Sequence, residues 1–450
     1  MTNQTNTYKP CPHRKRCGGC QFQDMPYDEQ LRIKHKKLVR LLGDFGYIQP
    51  VIGMENPYNY RNKVHAVFNY DKRHDRSYSG TYEKHSHRLV PIHHCQIEDK
   101  KASAIVASVT NLLNDFGLPA YNEDSGQGLM RHVLVKRSFT TGEIMVVLIT
   151  PTRNFPSRKN FLKALLKEHP DITTVIHNYN PEDTSMVLGD REDVIYGKGY
   201  IEDELLGYTF KISPQSFYQV NPKQTEILYK TALDFASLTG KELVFDSYCG
   251  TGTIGILAAE KAKQVLGVEL NRDAVRDAIQ NARNNRVKNI YFQCADAGEL
   301  ISAMAADKEQ VDVLFMDPPR NGSSREFLDS VIEIGPEKIV YVSCGPESLS
   351  RDLSYFFNKT KGYTVRKIQP VDMFPFTDHI ETVVLIEKLK RNKGSKTYNK
   401  NNKKIYKKDD RKKHSKDNKK TYNRDEIKRT GNNKKSGKRN KNSFGKSIGN

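Results

Sequence analysis

Asp246-Ser-Tyr-Cys-Gly-Thr-Gly-Thr-Ile-Gly255 decides the fold class. An apolar run leads into it and a run of Ile, Leu and Ala follows, so a buried strand turns through glycines into a helix. From about Asp203 onward the chain repeats this alternation. Strands are predicted at 242–246, 264–268, 290–293, 311–316, 337–342, 363–368 and 382–387, with helical stretches between the earlier ones. The pattern predicts an α/β, Rossmann-like domain with a doubly wound, mostly parallel sheet. It should end in an antiparallel pair, because no helix separates the last two strands.

Four strings follow the predicted strands: the glycine turn, Gly267-Val-Glu-Leu-Asn271, Asp317-Pro-Pro-Arg-Asn-Gly322 and Tyr341-Val-Ser-Cys-Gly-Pro346. They lie at carboxyl ends, where open α/β sheets bind their ligands. Gly250-Thr-Gly-Thr-Ile-Gly255 matches the dinucleotide fingerprint, which brings an NAD dehydrogenase into view. Two features oppose it. Asp246, four residues before the first glycine, suits a ligand with a positive amino group, and no hydride-transfer residues accompany Asp317-Pro-Pro. Tight glycines suit close backbone approach to the amino-acid part of S-adenosylmethionine. Glu269 can accept both ribose hydroxyls, or simply cap a helix, and Asp296 can reach the adenine.

The residue after Asp317-Pro-Pro is Arg320, not the aromatic residue that stacks a target base in amino-methyltransferases. The distinctive group comes one strand later, at Cys344. A thiolate added to C6 of a uracil would make C5 nucleophilic enough to take a methyl group. A base must then remove the C5 proton; Glu381 is the first candidate in Asp372-Met-Phe-Pro-Phe-Thr-Asp-His-Ile-Glu381, and His379 the second. Cys249 and Cys294 read as buried structural thiols.

Formal charge is +20, from 73 Lys/Arg against 53 Asp/Glu, and from Lys390 onward 24 basic residues face 5 acidic ones. That Lys/Asn-rich segment has too little apolar surface to offset its ordering entropy and is expected to be disordered. An arm so basic suits a polyanion such as RNA, with a solubility tail as the alternative. No apolar run approaches the roughly 20 residues of a membrane span. The first residues do not form a signal peptide, so seven reduced cysteines and a cytoplasmic location are expected.

Four thiols lie outside the catalytic half, at Cys11, Cys17, Cys20 and Cys95. This set suits zinc or a [4Fe–4S] cluster, with His13, His93 and His94 nearby as substitutes in a zinc site. Residues 27–42 have helical spacing, and strands of a second sheet follow. Arg61, Lys63, Arg131, His132 and Lys136 intersperse charge there, as an RNA-facing surface would. The expected layout is a disordered 1–10, an iron–sulfur and β-rich RNA-binding domain over 11–202, a methyltransferase domain over 203–388, and a disordered tail over 389–450.

Over about residues 9–388 the chain resembles the RumA/TrmA-type RNA uracil-5-methyltransferases. The strings that carry the likeness are Cys-x5-Cys-Gly-Gly-Cys, Ser213-Pro-Gln-Ser-Phe-Tyr-Gln-Val-Asn221, the glycine turn, Gly-Val-Glu, Asp-Pro-Pro-Arg, Val-Ser-Cys and Asp-Met-Phe-Pro with His-Ile-Glu. The resemblance implies S-adenosylmethionine contacts from Gln219, Tyr248, Glu269 and Asp317, with Cys344 as nucleophile and Glu381 as base. It also implies a [4Fe–4S] cluster on Cys11, Cys17, Cys20 and Cys95, the mark of the ribosomal-RNA branch. The expected substrate is a uridine of 23S ribosomal RNA and the expected state a monomer. A transfer-RNA enzyme and a catalytically silent rRNA-binding assembly factor are the alternatives. Ribosomal-RNA members usually begin with a small β-barrel, whereas only ten residues precede Cys11 here.

Overall fold

The computed structural model describes residues 9–123, 125–182 and 186–390. The N-terminal segment and the basic tail expected to be disordered fall almost wholly outside the described residues. The first half opens with helix α1 (Tyr27–Leu42) and continues through β1 (Lys63–Asp71), β2 (Arg76–Tyr82), β3 (Leu89–Pro91) and α2 (Lys100–Asp115). Then come β4 (His132–Arg137), β5 (Ile144–Thr150), α3 (Arg158–Glu168), β6 (Thr174–Tyr179) and β7 (Arg191–Tyr196). These strands form one sheet in the order β3-β2-β1-β4-β5-β6-β7, with only β5 and β6 parallel, joined through α3. Every residue of β5 and β6 is buried, so both faces of the sheet are covered. One face packs on α2 and α3 around Val109, Leu113, Phe161 and Val146. The other buries Met145, Val147 and Ile149 against Ile201 and Ile212. Asp99 starts α2 by accepting the Ala102 amide at 2.9 Å, an N-cap.

Residues Ile201 and Ile212 belong to a hairpin of β8 (Ile201–Leu205) and β9 (Tyr208–Ile212). The second half then runs α4 (Pro222–Ala236), β10 (Leu243–Ser247), α5 (Thr253–Ala259), β11 (Gln264–Glu269), α6 (Arg272–Asn284), β12 (Ile290–Cys294) and α7 (Ala297–Ala306). It closes with β13 (Val313–Met316), α8 (Arg325–Ile334), β14 (Lys338–Ser343), α9 (Pro346–Lys359), β15 (Tyr363–Val371) and β16 (Glu381–Lys388). The sheet order is β12-β11-β10-β13-β14-β16-β15. The five strands from β10 to β14 are mutually parallel, and β16 runs antiparallel between β14 and β15. The predicted strands and the closing antiparallel pair are present.

Helix α1 lies on this second sheet. Its buried positions Gln30, Lys34, Leu38 and Leu42 recur every four residues, which places them on one face. Leu38 and Leu42 join the core of Phe245, Leu314 and Tyr341. Ile48 and Ile52 then make parallel bridges to Ile368 and Val371 of β15.

Candidate active site

The carboxyl ends of β10, β11, β13 and β14 open on one side of the second sheet. The chain leaves β10 through Tyr248, which takes the left-handed backbone (φ 62°), and through Gly250 and Gly252 (φ 55° and 83°). A side chain on Gly252 would also strike the Phe292 ring at 2.7 Å, so only glycine serves there. Tyr248, Asp246, Gly250 and Asp317 line a cleft with Phe217, Tyr218 and Gln219. Gln219 and Tyr248 thus reach the same space from distant parts of the chain.

Strand pairing supplies the next relationship. Ser343 at the end of β14 faces Thr382 at the start of β16. The antiparallel register therefore brings Cys344 and Glu381 to the same edge, next to Asp317 after β13. Their electrostatics follow from the crowding. Burial pushes the Asp317 carboxyl up to about 7. Burial and then the Asp317 charge push Glu381 up to about 8, with Arg320 opposing. Cys344 is pushed up to about 11 by burial, then by Glu381 and Asp317, again opposed by Arg320. Asp246 rises to about 8 through burial and the charges of Asp317 and Glu269, and its Oδ2 has no hydrogen-bond partner.

A cleft holding several buried carboxyls and an orphaned carboxylate oxygen lacks positive charge. S-adenosylmethionine carries both a sulfonium and an ammonium group, so these residues fit it. Glu269 accepts the Gly250 amide at 3.1 Å and the Asn271 amide at 2.8 Å, one on each oxygen. It ties the glycine turn to β11 and keeps a free lone pair on each oxygen for a diol. Asp296 caps α7 through Oδ1, accepting the Gly298 and Glu299 amides at 2.8 and 3.0 Å. His379 is partly exposed, beside Asp378 at 3.6 Å.

Three basic side chains expected on an RNA-facing surface point inward instead. Arg131 donates to the Asn180 and Glu182 carbonyls at 2.6 and 2.9 Å, Lys136 to three carbonyls of residues 213–216, and the His132 ring packs on His65. All three are buried; His132 and Lys136 lie on β4, which is covered on both faces, and Arg131 immediately precedes it. Arg61 and Lys63 instead line a cavity of about 1360 Å³ together with Arg14, Arg76 and the thiols of Cys11, Cys17, Cys20 and Cys95. Cys249 is buried as expected, but Cys294 is exposed at the end of β12.

Among the described residues, no three His, Cys, Asp or Glu side chains converge on a single metal-ion position. The four thiols nevertheless share that one cavity. Burial lifts Cys20 to about 11, and the neighbouring Cys17 and Cys11 add to the shift.

Compared with known proteins, residues 26–389 match the family model described as tRNA (Uracil-5-)-methyltransferase. The chain belongs to this family. Uncharacterized RNA methyltransferases of Halalkalibacterium halodurans and Clostridium acetobutylicum are 40% and 41% identical to it over 383 and 396 residues. The matches cover 84% and 86% of this chain and 83% and 85% of theirs. Among solved structures, the Pyrococcus abyssi tRNA (uracil-54, C5)-methyltransferase in complex with S-adenosyl-L-homocysteine superposes with a TM-score of 0.70 at 27% identity. The superposition covers 82% of this chain and 86% of that one. This RNA uracil-5-methyltransferase therefore uses S-adenosylmethionine as methyl donor, as the sheet-end cleft and the family agree. No helix among the described residues is long and apolar enough to cross a membrane.

Three features of the methyltransferase were not evident from the residues alone. Gln219 entered only through the resemblance. Lys34 and Asp372 form an ion pair at 2.7 Å with both side chains sealed from water. Lys136 grips the turn that precedes Phe217. Lys34 had a signal: it occupies the same α1 face as Leu38 and Leu42, where an unpaired lysine would be costly.

Proposed function

We infer that the enzyme methylates C5 of a uridine in 23S ribosomal RNA through a covalent Cys344–C6 adduct. The observation that carries this reading is the β14–β16 register, which sets Cys344 and Glu381 side by side beyond Ser343 and Thr382. When bound, S-adenosylmethionine supplies an electrophilic methyl group on a positively charged sulfur. Cys344 as thiolate adds its Sγ to C6 and leaves C5 an enolate carbon that takes the methyl group. Glu381 as carboxylate then removes the C5 proton, the C5–C6 double bond re-forms and the Cys344 thiolate leaves. Cys344 and Glu381 are both held toward their protonated forms by burial, to which Glu381 and Asp317 add for the thiol and Asp317 adds for the carboxyl. Positive charge entering the cleft would pull both down, so cofactor binding would ready the nucleophile and the base together.

Gln219, Tyr248, Glu269 and Asp317 would hold the cofactor, with Asp296 toward the adenine. Cys11, Cys17, Cys20 and Cys95 line one cavity without three of them converging on a single metal-ion position, and they would hold a [4Fe–4S] cluster there. This motif supports the ribosomal-RNA assignment, and a cytoplasmic monomer is the corresponding setting. The likeness to the Pyrococcus abyssi tRNA enzyme favours a second reading, transfer RNA. Incubation with 23S RNA and with bulk transfer RNA, each from cells lacking the gene, decides between them. 5-Methyluridine formed in transfer RNA alone would overturn the ribosomal assignment.

A further inference from the structure

Lys136 is a buried lysine on β4 with no carboxylate within ion-pairing distance among the described residues. Its Nζ donates instead to three backbone carbonyls, Ser213 at 2.8 Å, Pro214 at 3.0 Å and Ser216 at 2.9 Å. A buried cation without a counter-ion is expensive, and an apolar residue of the same length would fill the space more cheaply. The three carbonyls belong to the turn that immediately precedes Phe217-Tyr218-Gln219, all of which line the cofactor cleft.

The opposite side of the turn is held by an acid. Ser213 and Ser216 donate their hydroxyls to Asp277 Oδ2 of α6 at 2.8 and 3.0 Å. The turn therefore sits between a cation that collects its carbonyls and an anion that collects its hydroxyls. Phe217, held at the end of this clamp, is 69% exposed. An exposed ring on an immobilised turn is presented, not packed. We propose that Lys136, from the first sheet, is a positioning residue that fixes the 213–216 turn and so presents Phe217 and Gln219 to the cleft. The role of Gln219 rests on the functional reading above; the clamp does not.

The clamp has a built-in pH response. Burial, then the cross-strand neighbour Lys63 of β1, lowers Lys136 to about 7, against the weaker pull of Asp277 on α6 and Glu192 on β7. Below that value the ammonium offers one N–H to each of three carbonyls. Above it the neutral amine has only two to offer.

The chain contains no tryptophan, so Phe217→Trp in the full-length enzyme makes a single fluorescent reporter of the turn. Time-resolved anisotropy is read in that background with Lys136, Lys136→Met and Lys136→Arg, together with S-adenosylhomocysteine affinity. The methionine variant should free the indole and weaken binding by roughly tenfold, the cost of stranding buried carbonyls. Arginine, which keeps the charge, should hold the reporter. In the lysine parent the indole should loosen as pH rises through about 7, and with arginine it should not. A folded methionine variant with a rigid indole and undiminished affinity overturns the proposal. Should that variant not fold, a pH-independent indole in the lysine parent overturns it. If no form binds S-adenosylhomocysteine while the indole still follows residue 136, the clamp stands and the functional reading falls.

Discussion

Lys34 on α1 meets Asp372 at 2.7 Å, and the same carboxylate accepts the Tyr27 hydroxyl at 2.8 Å and the Phe374 amide at 3.2 Å. Lys34 also donates to the Phe374 carbonyl at 3.1 Å, and Gln30, one turn earlier, accepts the Phe376 amide at 2.8 Å. An N-terminal helix thus fastens the 372–381 segment that delivers Glu381. Removing one member of a buried pair leaves the other charged and unpaired. Lys34→Met should cost about 3–5 kcal/mol in denaturant unfolding. Combining it with Asp372→Asn should recover part of that loss. A single substitution costing less than about 1 kcal/mol would mean that the pair is no more than a surface contact in effect.

The roles proposed for Cys344 and Glu381 separate cleanly by experiment. Cys344→Ala should abolish 5-methyluridine formation yet leave S-adenosylhomocysteine affinity unchanged, because the thiol acts on the base. Glu381→Gln should methylate and then stall, giving an RNA–protein adduct that survives a denaturing gel. Normal turnover without such an adduct would pass the role of base to His379 or a water.

Asp317, Glu381 and Asp246 rise to about 7, 8 and 8 in the folded, cofactor-free enzyme, from ordinary values of 3.8, 4.5 and 3.8. Between those limits the folded state holds protons that the unfolded state has released. Their contribution to stability therefore declines as pH rises toward 8. A cationic cofactor favours the ionised forms, so its binding near pH 7 should release protons. Calorimetry in two buffers of different ionisation enthalpy measures this, and Asp246→Asn should reduce the number released. Net proton uptake would contradict the proposed pairing of the sulfonium and ammonium with these carboxyls.

Anaerobically purified enzyme should carry a brown chromophore that Cys20→Ser removes, with loss of thermal stability. Cys20 and Cys95 pack around Phe376, Tyr60 and Ile97, and the Gln21 and Phe22 amides donate to the Phe376 carbonyl at 3.0 and 2.9 Å. Loosening the cysteine loop should therefore loosen the Glu381 segment too. Colourless protein with stoichiometric zinc would replace the cluster by a mononuclear site.

The second sheet was legible because each strand is a short apolar run followed by a turn or capping residue, and those signals are local. Cys344, Glu381, Glu269 and Asp317 stood out for the same reason: chemistry-bearing residues at strand ends. The inward-facing Arg131, His132 and Lys136 were misread because charge in a strand signals solvent only when one face is open, and both faces of β4 are covered. Cys294 failed the opposite way, since β12 is an edge strand whose residues are largely exposed. Nothing local marks Lys34 for Asp372, a partner 338 residues away.

The position of β16 orders the assembly of the enzyme in time. Among the described residues it is the last strand synthesised, yet it lies inside the sheet, between β14 and β15. Until it enters, β14 and β15 cannot be joined, and the edge of a nearly finished sheet stays open. β16 pairs with the two strands that precede it in the chain, so this closing step is local in sequence. Its first residue is Glu381. A newborn chain therefore holds Cys344 and the glycine turn before it holds Glu381, and the site proposed above is complete only when β16 slides home.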